Sequence, residues 1–404
     1  MLVVALLIGA AAAGSAQHRM RPPAGTVELD GGVQRTSISF ELINHHVILP
    51  VEIGGTKLRI VLDTGMPSPG LLLYTNDRTA GAAVAFDPNM RAQVGGAGGH
   101  GERLFAQLAP GASFTLPGVS VAGTTVTKLP ELPHFPGYHD GIIGFSLFDR
   151  FVVELDFENQ LMTLIEPEDF KPLVGHAGIP FEIVMGVPHI RLGVGIDGGD
   201  LFSTEVVVDL GASHALSLNT DASDAIQIPS KSVASPLGRG LSGQLLGRVG
   251  RVDAVELGGH RMTDVPVSFP ESAHQNPRRA PDLGGNLGTG IMSRFHVTFD
   301  YSRKRMWVRP RRDFDAPFPA DRSGLVLAHN QDEGLLVDSV IEDSPAALSG
   351  IEAGDRILRV DGDEVSPEDR FTVRERLEGE GEVLLVVRSG GKEREVRIRL
   401  AQLI

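Results

Sequence analysis

The amino-acid sequence predicts a mostly β protein made of two copies of one lobe followed by a small α+β unit. Three observations carry that reading. An apolar run that ends on Asp-x-Gly occurs twice, as Ile60-Val61-Leu62-Asp63-Thr64-Gly65 and as Val206-Val207-Val208-Asp209-Leu210-Gly211. Each run is followed at nearly the same distance by a second matching segment, Gly141-Ile142-Ile143-Gly144-Phe145 and Gly285-Asn286-Leu287-Gly288-Thr289, and two landmarks at one offset indicate a duplicated unit. Past Arg312 the composition changes: Pro310, Pro317 and Pro319 mark a linker, and the C-terminal stretch beyond it matches neither copy.

Taken in order, residues 2–14 form an apolar run of signal-peptide length, too short to span a bilayer, and Gly14-Ser15-Ala16 ahead of Gln17 offers the small residues a signal peptidase cuts after. Residues 1–16 are therefore expected to direct export, to a periplasm or outside the cell, or to anchor the N-terminus at a membrane. The first lobe is expected over 35–170 and opens with runs at 46–53 and 57–62 around Gly54-Gly55. The second, over 178–311, opens with 189–196 and 201–208 around Asp197-Gly198-Gly199-Asp200. Gly-centred breaks supply the positive φ of a tight hairpin, so both Asp-x-Gly motifs fall at the end of a hairpin's second strand. Helical turns follow at 146–150 and 291–294, and each copy then runs into a strand ending in Asp, at Asp156 and Asp300. The third unit, 322–402, reads as strands at 324–328, 334–340, 356–360, 383–387 and 393–400. Ser344 caps one short helix that starts at Pro345, and a second helix is expected at 366–377.

Composition narrows the chemistry. The chain has 404 residues, 42% of them apolar, enough for several cored domains. Its net charge of -14 repels a phosphate backbone, and the basic run at 303–312 is short and mixed with apolar residues, so nucleic acid is not an expected partner. With no cysteine there is no disulfide, thiolate nucleophile or Cys-held metal. His45, His46, His134 and His139 lack the spacing of a zinc protease, so neither a metal nor an organic cofactor is expected. Ser213 and His214 are adjacent in an extended run and point to opposite faces, which disfavours Ser/His catalysis. Asp140 and Asp149 read as turn and helix-capping residues, and Trp307 as core.

The repeated aspartate carries the functional reading. A carboxylate on a Gly turn at a strand end lies close to backbone donors. Two of them face to face cannot both ionise cheaply, so they share a proton; one can then take a proton from water while the other gives one to a carbonyl oxygen. Asp63-Thr64-Gly65 with Gly141-Ile142-Ile143-Gly144 resembles the retropepsin-type aspartic protease signature, in particular that of two-lobed bacterial relatives carrying a PDZ domain. The resemblance implies Asp63 and Asp209 as the catalytic pair, Thr64, Gly65, Gly211 and Ser213 as supporting loop residues, and Ile142, Ile143 and Leu287 as core. Two departures stand out. Leu210 replaces the hydroxyl residue that would brace the loops, and Met66-Pro67 follows Gly65 where a small residue is usual. The flap expected over the substrate has two candidate segments, one with Gly96, Gly98 and Gly99 and one with Gly240 and Gly243; neither contains a Tyr.

Gly334-Leu335-Leu336-Val337, Ser344-Pro345-Ala346-Ala347 and Gly354-Asp355-Arg356-Ile357-Leu358 resemble a PDZ domain of the kind attached to periplasmic proteases. Such a domain takes an extended peptide as an added strand and holds a terminal carboxylate in a backbone nest, placed by the resemblance at Gly324, Leu325 and Val326. The expected activity is an aspartic endopeptidase acting on peptides or unfolded protein, with a C-terminal peptide as ligand of the PDZ domain. The expected form is a monomer whose lobes pair internally. The alternative is a peptide-binding protein that keeps the scaffold without turnover.

Overall fold

A computed structural model describes residues 25–95, 104–132, 137–172, 177–241, 243–272, 280–328 and 332–404. The expected signal peptide and the flap candidates Gly96, Gly98 and Gly99 lie outside the described residues. The described residues fold into four sheets. In the first, Thr56–Leu62 runs parallel to Gly141–Ile143, with Val61 opposite Ile142, and Leu71–Leu73 flanks it antiparallel. In the third sheet Phe202–Asp209 runs parallel to Gly285–Gly288, with Val207 opposite Asn286, and Leu216–Leu218 flanks it in the same way. The duplication seen in the chain is thus a duplication of topology, and each Asp-x-Gly leaves the end of an equivalent parallel pair.

The second sheet joins the two halves. Val152–Asp156 pairs antiparallel with Phe295–Asp300, setting Leu155 against Val297, and each half adds two further strands outward from this seam. One apolar cluster runs through both lobes, including Leu62, Ile143, Phe148 and Leu155 with Val208, Leu287 and Phe299. Burial of this continuous core, at roughly 25 cal/mol per Å² of apolar surface, makes the lobes one cooperative body. Lobe 1 also takes in Thr26–Leu29, upstream of residue 35, as an edge strand on Val119–Lys128.

The third unit has its own core, with Leu335, Ile357, Val383 and Ile398 at its centre. Its main strands are Leu325–Ala328, Leu335–Val340, Arg356–Val360, Glu382–Ser389 and Lys392–Arg399. The helix Pro345–Leu348 is capped as its sequence indicates, with Ser344 Oγ accepting the Ala347 N–H at 3.3 Å. The helix Arg370–Leu377 leans on lobe 1: Phe371 meets the Tyr138 ring edge-on at 5.1 Å, and Arg374 donates to Asn44 Oδ1 at 3.3 Å.

The proline-marked linker packs against lobe 2, where Arg294 stacks over Phe318 at 3.5 Å and donates to the Phe314 and Ala316 carbonyls. Two expectations change. Asp140 is neither turn nor cap; fully buried, it accepts from the Arg59 N–H, Asn76 Nδ2 and Arg78 Nε and ties three segments of lobe 1 together. Trp307 is half-buried beneath Phe170, while its neighbour Met306 is the core residue. Among the described residues no helix is long and apolar enough to cross a membrane.

Candidate active site

The two Asp-x-Gly loops meet at the centre of the duplicated body. Each turn is closed the same way. Asp63 Oδ1 accepts the Gly65 N–H at 2.6 Å and Asp209 Oδ1 accepts the Gly211 N–H at 2.9 Å. The Met66 N–H returns to the Asp63 carbonyl and the Ala212 N–H to the Asp209 carbonyl, each at 3.2 Å. The loops also cross over. A side chain at Gly65 would touch Asp209 Oδ1 at 2.8 Å, and one at Gly211 would lie 2.4 Å from Asp63 Cγ. Each aspartate therefore lies over the other loop's glycine, and the two carboxyls come within hydrogen-bonding reach of each other. Glycine is required at 65 and 211 for this close approach, not for its φ.

The pair is not symmetric. Burial first, and then the facing Asp209 carboxyl, push Asp63 well above the ordinary carboxylate range. Asp63 Oδ2 is buried and accepts no hydrogen bond from another side chain among the described residues, so it gains no donor of the kind that favours a charged carboxylate. Burial also raises Asp209, but Asn286 Nδ2 donates to its Oδ2 at 2.8 Å and holds it down. Asp63 is therefore the protonated member and Asp209 the anion. Sequence reasoning missed Asn286, whose signal was a polar residue where the first copy has Ile142. Asn286→Leu should move the acid limb of a pH–rate profile upward. The carboxylate loses a donor that favours its charged form, so Asp209 ionises at higher pH. An unmoved limb in steady-state kinetics would count against this division of roles.

The brace between the loops is one-sided, as Leu210 indicates. Thr64 Oγ1 accepts the Leu210 N–H at 2.9 Å and donates to the Val208 carbonyl at 2.7 Å. Leu210 returns nothing from its side chain, which is fully buried in the core, and its carbonyl is held instead by the Thr289 hydroxyl at 2.9 Å. Thr64→Val strands a buried N–H and a buried carbonyl and should cost about 2–4 kcal/mol, read as a shift in the urea midpoint.

Other predicted residues fall around this centre. Ile142, Ile143 and Leu287 are buried. Ser213 is buried beside the second loop and lines a cavity of about 530 Å³ where the two lobes and the third unit meet. The cavity reaches Ser213, His214 and Gly290 but not the dyad, whose carboxyls are 0% and 1% exposed. Gly240 and Gly243 face each other at the end of the hairpin formed by Ser232–Gly240 and Gly243–Leu257. Leu241 at that tip packs into a lobe 1 cluster with Met66, Tyr74 and Ile142. Met66, the departure after Gly65, thus seats the hairpin of the other lobe, and the hairpin bridges the lobes over the first loop.

His46 is a second residue the sequence did not expose. Its Nε2 meets the Gly211 carbonyl at 2.9 Å and its Nδ1 meets the Tyr138 hydroxyl at 2.7 Å. The carbonyl fixes the Nε2–H tautomer, so Nδ1 accepts from Tyr138. Burial lowers His46 to about 4. Since the unfolded histidine titrates near 6.5, the unfolded state binds the extra proton between those values and stability falls as pH drops through the window, by about 3 kcal/mol for this group. Wild type should lose roughly that much more than His46→Asn between pH 7 and pH 4 in urea unfolding. Equal losses would remove the assignment. Among the described residues no group of three or more His, Asp or Glu is placed to hold a metal.

Comparison with known families agrees with this geometry. Residues 194–292, which contain Asp209 and Asn286, match the family described as Aspartyl protease, and residues 315–388 match the family described as PDZ domain. The chain is mostly β, with an aspartyl protease unit of retropepsin-like type and a C-terminal PDZ domain. Tight junction protein 1 of Mus musculus is 58% identical over 40 residues, 10% of this chain and 2% of that protein. Tight junction protein ZO-1 of Rattus norvegicus and Tight junction protein 1 of Canis lupus familiaris match over the same length at the same identity. The chain spans about 2% of the length of these relatives.

Proposed function

We propose that this aspartyl protease scaffold with its PDZ domain is an exported endopeptidase that hydrolyses peptide bonds between Asp63 and Asp209, working as a monomer with internally paired lobes. The observation that carries the reading is the crossed packing of each aspartate on the opposite glycine, with the proton placed on Asp63 by the Asn286 donor at Asp209. Asp209 removes a proton from a water whose oxygen attacks the peptide carbonyl carbon, while Asp63 gives its proton to the carbonyl oxygen. The tetrahedral diol then collapses: the C–N bond breaks, the amine nitrogen takes the proton held by Asp209, and Asp63 recovers one from a diol hydroxyl. No metal or cofactor enters the balance. Because both carboxyls are buried, substrate and water enter when the hairpin carrying Leu241 lifts from Met66.

Digestion of a quenched-fluorescence peptide library by the full chain between pH 3.5 and 7 tests this reading. Cleavage should rise from neutral pH toward moderate acid, where Asp63 carries its proton and Asp209 does not. The one-sided brace at Leu210 favours a second reading, a peptide-binding protein without turnover. Tight peptide binding with no cleavage at any pH in that range would establish the second and remove the first.

A further inference from the structure

The loop ahead of Leu325–Ala328 is where the resemblance places a nest for a ligand's terminal carboxylate, and its donors are already taken. Asp321 Oδ2 accepts the Gly324 N–H at 2.6 Å, and Asp321 Oδ1 accepts the Ser323 N–H at 3.2 Å and the Ser323 hydroxyl at 2.7 Å. The Leu325 N–H goes to Ser323 Oγ at 3.0 Å. Consecutive N–H groups turned onto one anion form a nest, and here the anion belongs to the chain itself. The loop is also fastened from behind. The Ser323 carbonyl accepts the Ala346 N–H and the Gly324 carbonyl the Ile341 N–H, each at 2.9 Å. A side chain at Gly324, where φ is +81°, would meet Ser344 at 2.1 Å. An incoming carboxylate would have to displace Asp321 from these donors.

The edge of the sheet is a different matter. Leu325–Ala328 is its outermost strand, paired on one side only with Leu335–Val340 among the described residues. Leu325, Val326 and Leu327, with Phe371 across from them, line the same cavity that Ser213 and Leu241 close on the lobe 2 side. The cavity along this edge extends as far as Ser213, beside the second Asp-x-Gly loop.

We propose that this PDZ domain takes an internal, extended segment of a polypeptide as an added strand on Leu325–Ala328, independently of any terminal carboxylate, and that the segment continues toward the dyad. The second half rests on the endopeptidase reading; the first stands on the nest and the edge strand alone. An enzyme built this way grips a substrate in mid-chain and cuts it nearby, and does not select new chain ends.

The test uses the full chain carrying Asp63→Asn, so that peptides stay intact, and a library of random decapeptides in two forms, with a free C-terminal carboxylate and with a C-terminal amide. The tightest binders should show Kd values equal within about twofold between the two forms. Asp321→Ala frees the nest and should make the free acid about tenfold tighter than the amide, since charge-assisted bonds to the N–H groups become available. Hydrogen exchange should show added peptide protecting those amides of Leu325–Ala328 that face away from Leu335–Val340 and leaving Ser323 and Gly324 unchanged, a readout that does not depend on the Asp321 variant folding. Tenfold weaker binding of the amide by the Asp63→Asn chain, protection centred on Ser323 and Gly324, or no binder in either form overturns the proposal. Binding as expected with no cleavage by wild type removes the endopeptidase reading and leaves the groove assignment in place.

Discussion

Asp209→Asn should lower kcat for peptide hydrolysis by about 10³-fold or more while peptide binding changes little, because in the proposed mechanism it removes the group that deprotonates water. Asp63→Asn should do the same by a different route. Its amide cannot donate the proton that the carbonyl oxygen needs, and without a titratable partner Asp209 loses the like-charge neighbour of the pair. The double variant should be scarcely slower than either single one, since the two act as a unit. Initial rates on a single fluorogenic peptide at several pH values decide the matter. Substantial turnover surviving in either single variant would place the chemistry elsewhere.

Gly211→Ala should be nearly as damaging although it removes no functional group. The added methyl would stand 2.4 Å from Asp63 Cγ and within 2.6 Å of both its oxygens, so either the loop or the aspartate must move. Forcing a methyl into a packed site costs about 1–3 kcal/mol, and a shift of a few tenths of an ångström separates two carboxyls that have to share a proton; a loss of about 10²-fold in kcat is expected. The same change at Gly81, where the nearest atoms are 3.5 and 3.6 Å away, should leave rate and melting temperature near wild type. Wild-type kcat for Gly211→Ala would mean that the two loops are not in contact in the working protein.

The reasons some of this was legible in the sequence and some was not are physical. A hairpin, its Gly break and the Asp-x-Gly after it are local, so 46–53 with 57–62 and its repeat could be read directly and match His46–Ile53 with Thr56–Leu62 closely. The duplication made the pairing of Asp63 with Asp209 readable as well, because a repeated half needs a repeated place. What escaped depends on contacts between residues far apart in the chain. The pairing of Leu155 with Val297 was invisible in two strands that were each correctly located. The grip of His46 on Gly211 spans 165 residues and leaves no trace in local pattern. Asn286 was hidden by the likeness of its segment to Gly141-Ile142-Ile143-Gly144, which suggested core where one side chain turns to Asp209. Asp321 lies three residues before the Gly324 that the resemblance marked, and only the folded turn shows its carboxylate filling that loop.

The contacts from Phe371 through Tyr138 and His46 to the Gly211 carbonyl tie the helix of the third unit to the second Asp-x-Gly loop by way of lobe 1. Were a peptide to displace that helix and a transition-state mimic that loop, linkage would require each to change the other's affinity by the same factor.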